Sequence, residues 1–452
     1  MNVIVNKHEL IKDHVHRDLL EILEAGVKAA NPQDSVVEAL RLVDRGLCVY
    51  DACYPIRGSI HVVGFGKASV NMALGVLKVL GDLIVGGVVI TTEGVNVDYV
   101  GRVKVFAGEH PIPGEGTLKA SGELLKYLSS EVKNNDLVIV LISGGGSALF
   151  EVPYPPLDLK DIAETTSLLM KSGADIVELN TVRKHLSRVK GGRLLEYLSK
   201  ADKVISLIVS DVVGDEIQYI ASGPTTYDTT TYRDSIDVLK RRGVWDLIPE
   251  KVRSFLIAGA RGEIPETVKP GDPLLDKVRN FVIASNRKSL DAMALKARDL
   301  GYSPTILTPF MEGEAREVGR FLASVAKYIA IKERNVKTAL LLGGETTVTV
   351  KGSGVGGRNQ ELCVSFANSV HGVKGIYIAT IGSDGKDGNS PAAGGICDWR
   401  LSEEALRKGL NVNEHLQNND TYTLLSKLKR AIITGPTGTN VNDLVVIVVV
   451  PT

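Results

Sequence analysis

The chain has 452 residues, long for a single core, so two α/β domains are the expectation. Its 53 basic side chains balance 53 acidic ones. A nucleic-acid binder shows a basic excess and a disordered chain a large net charge, so the sequence argues against both classes. With 44% apolar and 23% charged residues, the composition is that of a globular chain whose partners are small molecules met in a local pocket.

From the N-terminus, Met1 to Arg17 mixes Lys, His, Glu and Asp and lacks the apolar core of a signal peptide. Two helices are expected in the first fifty residues, from about Glu9 and about Ser35, the second following Pro32; either domain could receive them. Cys48, Cys53, Cys363 and Cys397 have no CxxC spacing, too sparse for a disulfide framework and wrong for zinc, so they read as reduced core thiols. Short apolar runs then predict strands at Ile60–Phe65, Gly87–Thr92, Leu137–Ile142, Val204–Val209, Phe281–Ala284, Ala339–Leu342, Ile376–Ile381 and Leu444–Val450. Between them, helical spacing runs through Lys119–Lys133, Asp158–Lys171, Asn180–Leu198, Arg287–Leu300 and Glu314–Arg334. This alternation predicts parallel, doubly wound sheets. The longest apolar runs are strand-length, so no membrane span and a cytoplasmic location are expected. Glycines and prolines between Ala258 and Asp276 break both periodicities, which predicts one domain over 1–265 and a second over 266–452.

In open α/β sheets ligands bind beyond the carboxyl ends of the strands, and the polar, Gly-rich segments of this chain lie there. Gly66-Lys67-Ala68-Ser69 follows the first buried run. It is neither a dinucleotide fingerprint, since Ser69 stands where the third glycine belongs, nor a P-loop. What remains is a lysine opening a helix, an anion site or a solvated surface charge. Ser143-Gly144-Gly145-Gly146-Ser147 lets backbone amides converge on an oxyanion, which favours phosphate binding over a plain turn. Asp211, Asp215 and Glu216 follow Val204–Val209; carboxylates at a strand end suit a Mg²⁺ site or a base for a hydroxyl, and one of the latter two suits a helix cap. Arg183 and Lys184 begin a basic stretch, part of which could face a phosphate or carboxylate. Further on come Gly343-Gly344-Glu345, then Gly354 to Glu361 with Arg358 and Asn359. Gly382 to Gly388 follows with Asp384 and Asp387, and finally Gly435 to Asn440 before Asp443. Arg358 at a glycine-rich helix entry is poised to meet a transferring phosphoryl group. Of eight histidines only His110 stands in a suggestive loop, Gly108-Glu109-His110-Pro111, and it reads as a structural turn residue.

Taken together, VGFGKAS (Val63–Ser69), GEHPIPGEGT (Gly108–Thr117), LISGGGSALFEVP (Leu141–Pro153), LNTVRKHLSRVKGGRL (Leu179–Leu194) and SDVVGDEIQYIASGPT (Ser210–Thr225) resemble the glycerate 2-kinases of the MOFRL family. So do GGETTVTVKGSGVGGRNQEL (Gly343–Leu362), GSDGKDG (Gly382–Gly388) and TGPTGTNVNDL (Thr434–Leu444), and the likeness runs over almost the full length. The resemblance implies an N-terminal Rossmann-like domain, a smaller C-terminal α/β domain and an active site in the cleft between them. It implies ATP- and Mg²⁺-dependent phosphorylation of glycerate to 2-phosphoglycerate, with Lys67, Asp211 and Arg358 as catalytic residues. Ser143, Gly144, Gly145, Gly146, Ser147, Arg183, Lys184, Glu345 and Asn359 would then hold the nucleotide, and Asp384 and Asp387 the metal. A homodimer is compatible with it, with no nucleic-acid or membrane partner. Two departures stand out: Val213 where proline is common, and Asn389-Ser390-Pro391 in place of Pro-Thr-Asp. Phosphoryl transfer needs positioning and charge neutralisation more than covalent chemistry, and glycine loops, a lysine, an arginine and acidic strand ends supply them. The alternatives are a hydroxypyruvate reductase-type oxidoreductase, which needs the missing fingerprint, and a non-enzymatic sugar-acid or nucleotide sensor, which needs no such set of Lys, Asp and Arg.

Overall fold

Residues 3–44, 46–95, 97–333 and 335–452 are described by a computed structural model. The chain divides into two compact units: a first, Pro32–Ile283, and a second made of Met1–Asn31 with Ala284–Thr452. The division expected at 265/266 therefore falls later, and the first thirty-one residues belong with the C-terminal part. Packing decides both points. Val268 donates to the Gly191 carbonyl at 3.0 Å and accepts from Asp228 at 2.8 Å, which ties the segment after 265 into the first unit.

The first unit opens with the helix Pro32–Ala39, followed by three short strands, β1 (Leu40–Val43), β2 (Gly46–Val49) and β3 (Ala52–Pro55), in an antiparallel sheet. Cys48 and Cys53 face each other across the β2–β3 hairpin and form a disulfide, correcting the expectation of four reduced thiols. The spacing hid the pair because a two-residue turn, Tyr50–Asp51, makes residues five apart into cross-strand partners. Cys363 and Cys397 are buried thiols, as expected.

A seven-stranded sheet follows. Its strands are β4 (Ile60–Phe65), β5 (Ile84–Thr92), β6 (Tyr99–Val100), β7 (Val103–Gly108), β8 (Leu137–Ile142), β9 (Lys203–Val209) and β10 (Val278–Ala284). Their order is β10-β9-β8-β4-β5-β7-β6. The neighbours β9, β8, β4, β5 and β7 run parallel. Every residue of β4 and β8 is buried, which explains the unbroken apolar run of β8 and the pairing of the one polar side chain in β4, His61, with Tyr127 and Asp136. Phe65 pairs with Ile142 and Ile142 with Ile208, so three adjacent parallel strands end at one level. The loops they release are those of Lys67, Gly144 and Asp211. The helix expected over Asn180–Leu198 is two helices, Ile176–Leu186 and Leu194–Tyr197, because Gly191 and Gly192 turn the chain between them with positive φ.

The second unit holds β11 (Ser303–Met311), β12 (Thr338–Gly344), β13 (Ile376–Gly382), β14 (Gly394–Asp398), β15 (Ala431–Ile432) and β16 (Asp443–Val449). The sheet order is β11-β12-β16-β13-β14-β15. Only β11 and β12 pair in parallel; β16 lies antiparallel between β12 and β13. This sheet is mixed where parallel pairing was expected. The helix Ala315–Lys332 provides a crossover between β11 and β12, whereas β14 follows β13 after a helix-free loop and folds back beside it. Strand β11 escaped sequence reading because Pro304 and Pro309 interrupt it, as an edge strand tolerates.

The helix His14–Ala29 belongs to this unit because Leu19, Ile22 and Leu23 share a core with Met293, Leu444 and Val446. A buried polar cluster adds direction: His16 spans Asp13 at 2.8 Å and Asp398 at 3.1 Å, and Arg400 and Arg430 both reach Asp398. Burial acts to raise the pKa of Asp398, but hydrogen bonds from His16 and Arg400 outweigh it and hold the carboxylate well below its ordinary range. Among the described residues no helix is long and apolar enough to cross a membrane.

Candidate active site

In the first unit, β4 runs into Gly66 and then Lys67, an exposed side chain between two buried neighbours. The Lys67 amide donates to the Gly144 carbonyl at 2.9 Å, and Ala68 N–H donates to Ser143 Oγ at 3.1 Å. The loop after β4 is thus clipped to the loop after β8. Ser69 opens the helix Ser69–Leu80 and donates its hydroxyl to the Ile90 carbonyl at 2.8 Å. Its side chain is buried and supports the turn.

Two glycines at the end of β8 are required by what surrounds them. A β-carbon on Gly144 would collide with the Asp211 carboxylate. Gly145 has φ +78°, and a β-carbon there would also stand 3.2 Å from Lys67 Cε and 3.2 Å from His110 Nε2. Asp211, Lys67 and His110 therefore cover two consecutive peptide units. Asp215 follows in a left-handed conformation with φ 56° and Glu216 is exposed, so Asp211 is the carboxylate nearest the strand end and the glycines. His110, which reads from the sequence as a structural turn residue, stands against Gly145, and the motif around it is its sequence signal.

The floor of the same region is rigid. Gly146 starts the short helix Gly146–Leu149, and Ser147 Oγ lies 2.9 Å from Ser222 Oγ. Ala221 and Ser222 have φ of 50° and 63°, strained values for residues with a β-carbon. They are held there by Gly191 N–H on the Ser222 carbonyl at 3.0 Å and Gly192 N–H on the Gly223 carbonyl at 2.8 Å. Arg183 Nη2 donates to the Ser147 carbonyl at 3.1 Å.

In the second unit the antiparallel register puts Asp443 opposite Gly344 on one side and Gly382 on the other. Arg358, first residue of the helix Arg358–Ser369, grips this buried aspartate with Nε at 2.7 Å and Nη2 at 3.0 Å. Its third nitrogen, Nη1, donates to Glu345 at 2.7 Å. Burial pushes Asp443 up to about 6, against the pull of the Arg358 guanidinium. Asp443 is the central acid of this cluster, and its place at the start of the last apolar run is the one sequence signal for it.

These two clusters can be compared with known proteins. Residues 18–257 match a domain of unknown function, DUF4147, and residues 338–443 match the MOFRL family. A glycerate 2-kinase of Pyrococcus horikoshii is 40% identical over 95% of this chain and 96% of its own length. The chain belongs to the MOFRL family of glycerate 2-kinases. A crystal structure of glycerate kinase from Thermotoga maritima superposes with a TM-score of 0.85 at 38% identity, covering 97% of this chain and 100% of that one. A putative hydroxypyruvate reductase of Agrobacterium vitis is also similar, 37% identical over 94% of this chain and 92% of its own.

Within this kinase family member, several expected nucleotide and metal residues occupy other places. Lys184 was expected beside Arg183 on a ligand-facing surface. It is buried instead, with Nζ 3.2 Å from Asp228 and its charge over the Tyr219 ring, because one step along the helix turns it about 100° away from Arg183. Asn359 is buried too and spends its amide on Asp443 at 2.8 Å. Asp387, expected as a metal ligand, accepts from the Asn359 amide at 3.0 Å and the Gln360 amide at 2.9 Å, and also from the Gln360 side chain at 2.9 Å. It is the anion that caps the helix of Arg358. Asp384 is half-buried, with one oxygen accepting from the Lys386 amide at 2.9 Å. Among the described residues no three His, Cys, Asp or Glu side chains form a metal cage.

Arg358→Ala is expected to lower kcat about 10²-fold or more and to reduce stability as well. It leaves Asp443 as a buried carboxylate without its cation, a loss of about 1–3 kcal/mol, at the low end because the Arg358 side chain is 34% exposed. Burial raises Asp443 to about 6, so below that pH it carries a proton and no longer needs a cation to balance its charge. The drop in melting temperature should therefore be larger at pH 8 than at pH 5, which thermal melts at the two pH values check.

Proposed function

We propose that this protein phosphorylates D-glycerate at its 2-hydroxyl, using Mg²⁺-bound ATP and releasing ADP and 2-phosphoglycerate in the cytoplasm. The observation that carries the reading is the convergence of Lys67 and Asp211 on Gly144 and Gly145. An alcohol is a weak nucleophile at neutral pH, and a carboxylate within hydrogen-bond reach can orient it and take its proton as the oxygen attacks the γ-phosphorus. Lys67 supplies a compact positive charge beside that carboxylate, and the Gly144–Gly145 peptides allow close approach of an oxyanion. Arg358, held by Asp443 and Glu345, is assigned to phosphate charge. The glycerate 2-kinase named among the relatives supports the acceptor and the position phosphorylated.

Magnesium fits one of the two expected aspartates and not the other. Both Asp387 oxygens are filled by the helix Arg358–Ser369. Asp384 has one oxygen engaged by its own loop and suits a site completed by nucleotide phosphates, since Mg²⁺ commonly takes one or two carboxylates. The ion would screen charge on the transferring phosphoryl group.

Incubating the protein with D-glycerate, ATP and Mg²⁺ and reading the product by phosphorus NMR tests the proposal. A 2-phosphoglycerate resonance growing in step with ADP is the expected result. Glycerate-dependent NAD(P)H formation without ADP release would overturn it in favour of the reductase reading.

A further inference from the structure

The motif Gly108–Thr117 has no part in the reaction as assigned so far, yet its conformation is closely fixed. The Glu109 carboxylate accepts from Gly116 N–H at 2.9 Å, Thr117 N–H at 2.7 Å and Thr117 Oγ at 2.9 Å, at the first turn of the helix Glu115–Glu131. Burial works to raise this carboxyl, but the bonds from Thr117 and Gly116 outweigh it and hold its pKa at about 2. The residue beside that anchor is His110.

The imidazole edge of His110 points at the glycine loop. A β-carbon on Gly145 would stand 3.1 Å from its Cδ2 and 3.2 Å from its Nε2, the same distance as from Lys67 Cε. His110 and Lys67 thus flank one glycine, and Asp211 covers the glycine before it.

Charge narrows what His110 can recognise. Partial desolvation and then the Lys67 ammonium push its pKa below the ordinary value, so the ring is neutral at pH 7. A neutral imidazole offers one donor and one acceptor, which matches a hydroxyl. A carboxylate or phosphate only accepts and is better served by Lys67.

We infer that His110 is a specificity residue of the acceptor site, hydrogen-bonding through Nε2 the hydroxyl of glycerate that is not phosphorylated. The inference rests on the glycerate kinase reading above. Sites built to bond a substrate hydroxyl reject analogues that lack it, because the protein group is left unpaired.

D-Lactate is the informative probe, since it keeps the carboxylate and the 2-hydroxyl and lacks the 3-hydroxyl. Dissociation constants for D-glycerate and D-lactate are measured by calorimetry on the full chain with a non-hydrolysable ATP analogue and Mg²⁺ present. The wild type should bind D-glycerate about 10²-fold more tightly. His110→Ala should bring the two within about threefold by weakening glycerate alone, and His110→Gln, whose Nε2 can stand near the imidazole nitrogen, should recover part of the preference. A wild-type preference near unity, or one that survives His110→Ala, overturns the inference. Equal weakening of both ligands would make His110 a support for Lys67 and also overturns it. If D-glycerate neither binds nor is phosphorylated, the functional reading itself fails, an outcome distinct from an unchanged ratio.

Discussion

Lys67→Met is expected to lower kcat by about 10²–10³-fold while the melting temperature stays within experimental error. The side chain is exposed, and the loop is fixed by bonds that do not involve its ammonium: Lys67 N–H on Gly144 and Ala68 N–H on Ser143. Methionine keeps the length of the stem and removes the charge. A surface substitution of this kind changes stability by no more than about 0.5 kcal/mol, so activity and folding separate cleanly. If the charge acts mainly in the transition state, kcat and kcat/KM for glycerate fall together. A fall confined to kcat/KM, with KM raised and kcat kept, would make Lys67 a ground-state contact for the substrate carboxylate. Near-wild-type values in both would reduce it to a surface charge. Steady-state kinetics with each substrate varied in turn, and one thermal melt, distinguish the three.

Asp211→Asn should lower kcat by about 10²–10⁴-fold, with nucleotide affinity little changed. The carboxylate packs directly over Gly144, so the amide of the same shape is expected to stay in place and to lose only the basicity and the charge. A metal-ligand role would show a different pattern: weaker Mg·ATP binding and partial recovery as magnesium is raised. Titrating ATP binding against magnesium for this variant separates the two, and recovery of turnover by magnesium would count against the base. The role is assigned to Asp211 and not to Asp215 because Asp211 adjoins the end of strand β9, whereas Asp215 lies beyond Gly214 in a left-handed turn.

Much of the first cluster is legible in the sequence because a parallel sheet makes it so. When β4, β8 and β9 are adjacent and in register, residues that follow three separate apolar runs are brought to one edge, and Lys67, Gly144 and Asp211 are those residues. A run apolar at every position marks a strand covered on both faces, and the next polar residue marks where the cover ends. Ser69 breaking the dinucleotide spacing is likewise a local fact, and the structure gives it a local role on the Ile90 carbonyl.

The sequence by itself therefore determined the α/β class, most strand positions and the glycine loops, because each depends on local pattern or on one simple rule of sheet order. Tertiary structure alone decided the rest. Asp443 became central because β16 inserts antiparallel between β12 and β13, a register that no periodicity encodes. Lys184 parted from Arg183 because neighbours on a helix point about 100° apart, and only packing says which of the two meets Asp228 in the interior. Asp387 turned from a candidate ligand into a helix cap because the chain folds its loop onto residues 359 and 360. Cys48 met Cys53 because a hairpin closes between them. His110 came to Gly145 because Glu109 pins its loop to a helix seven residues ahead. In each case two segments that carry no mark of one another in the sequence are joined by shape, and the joining costs chain entropy that only burial and hydrogen bonding of the whole unit can offset.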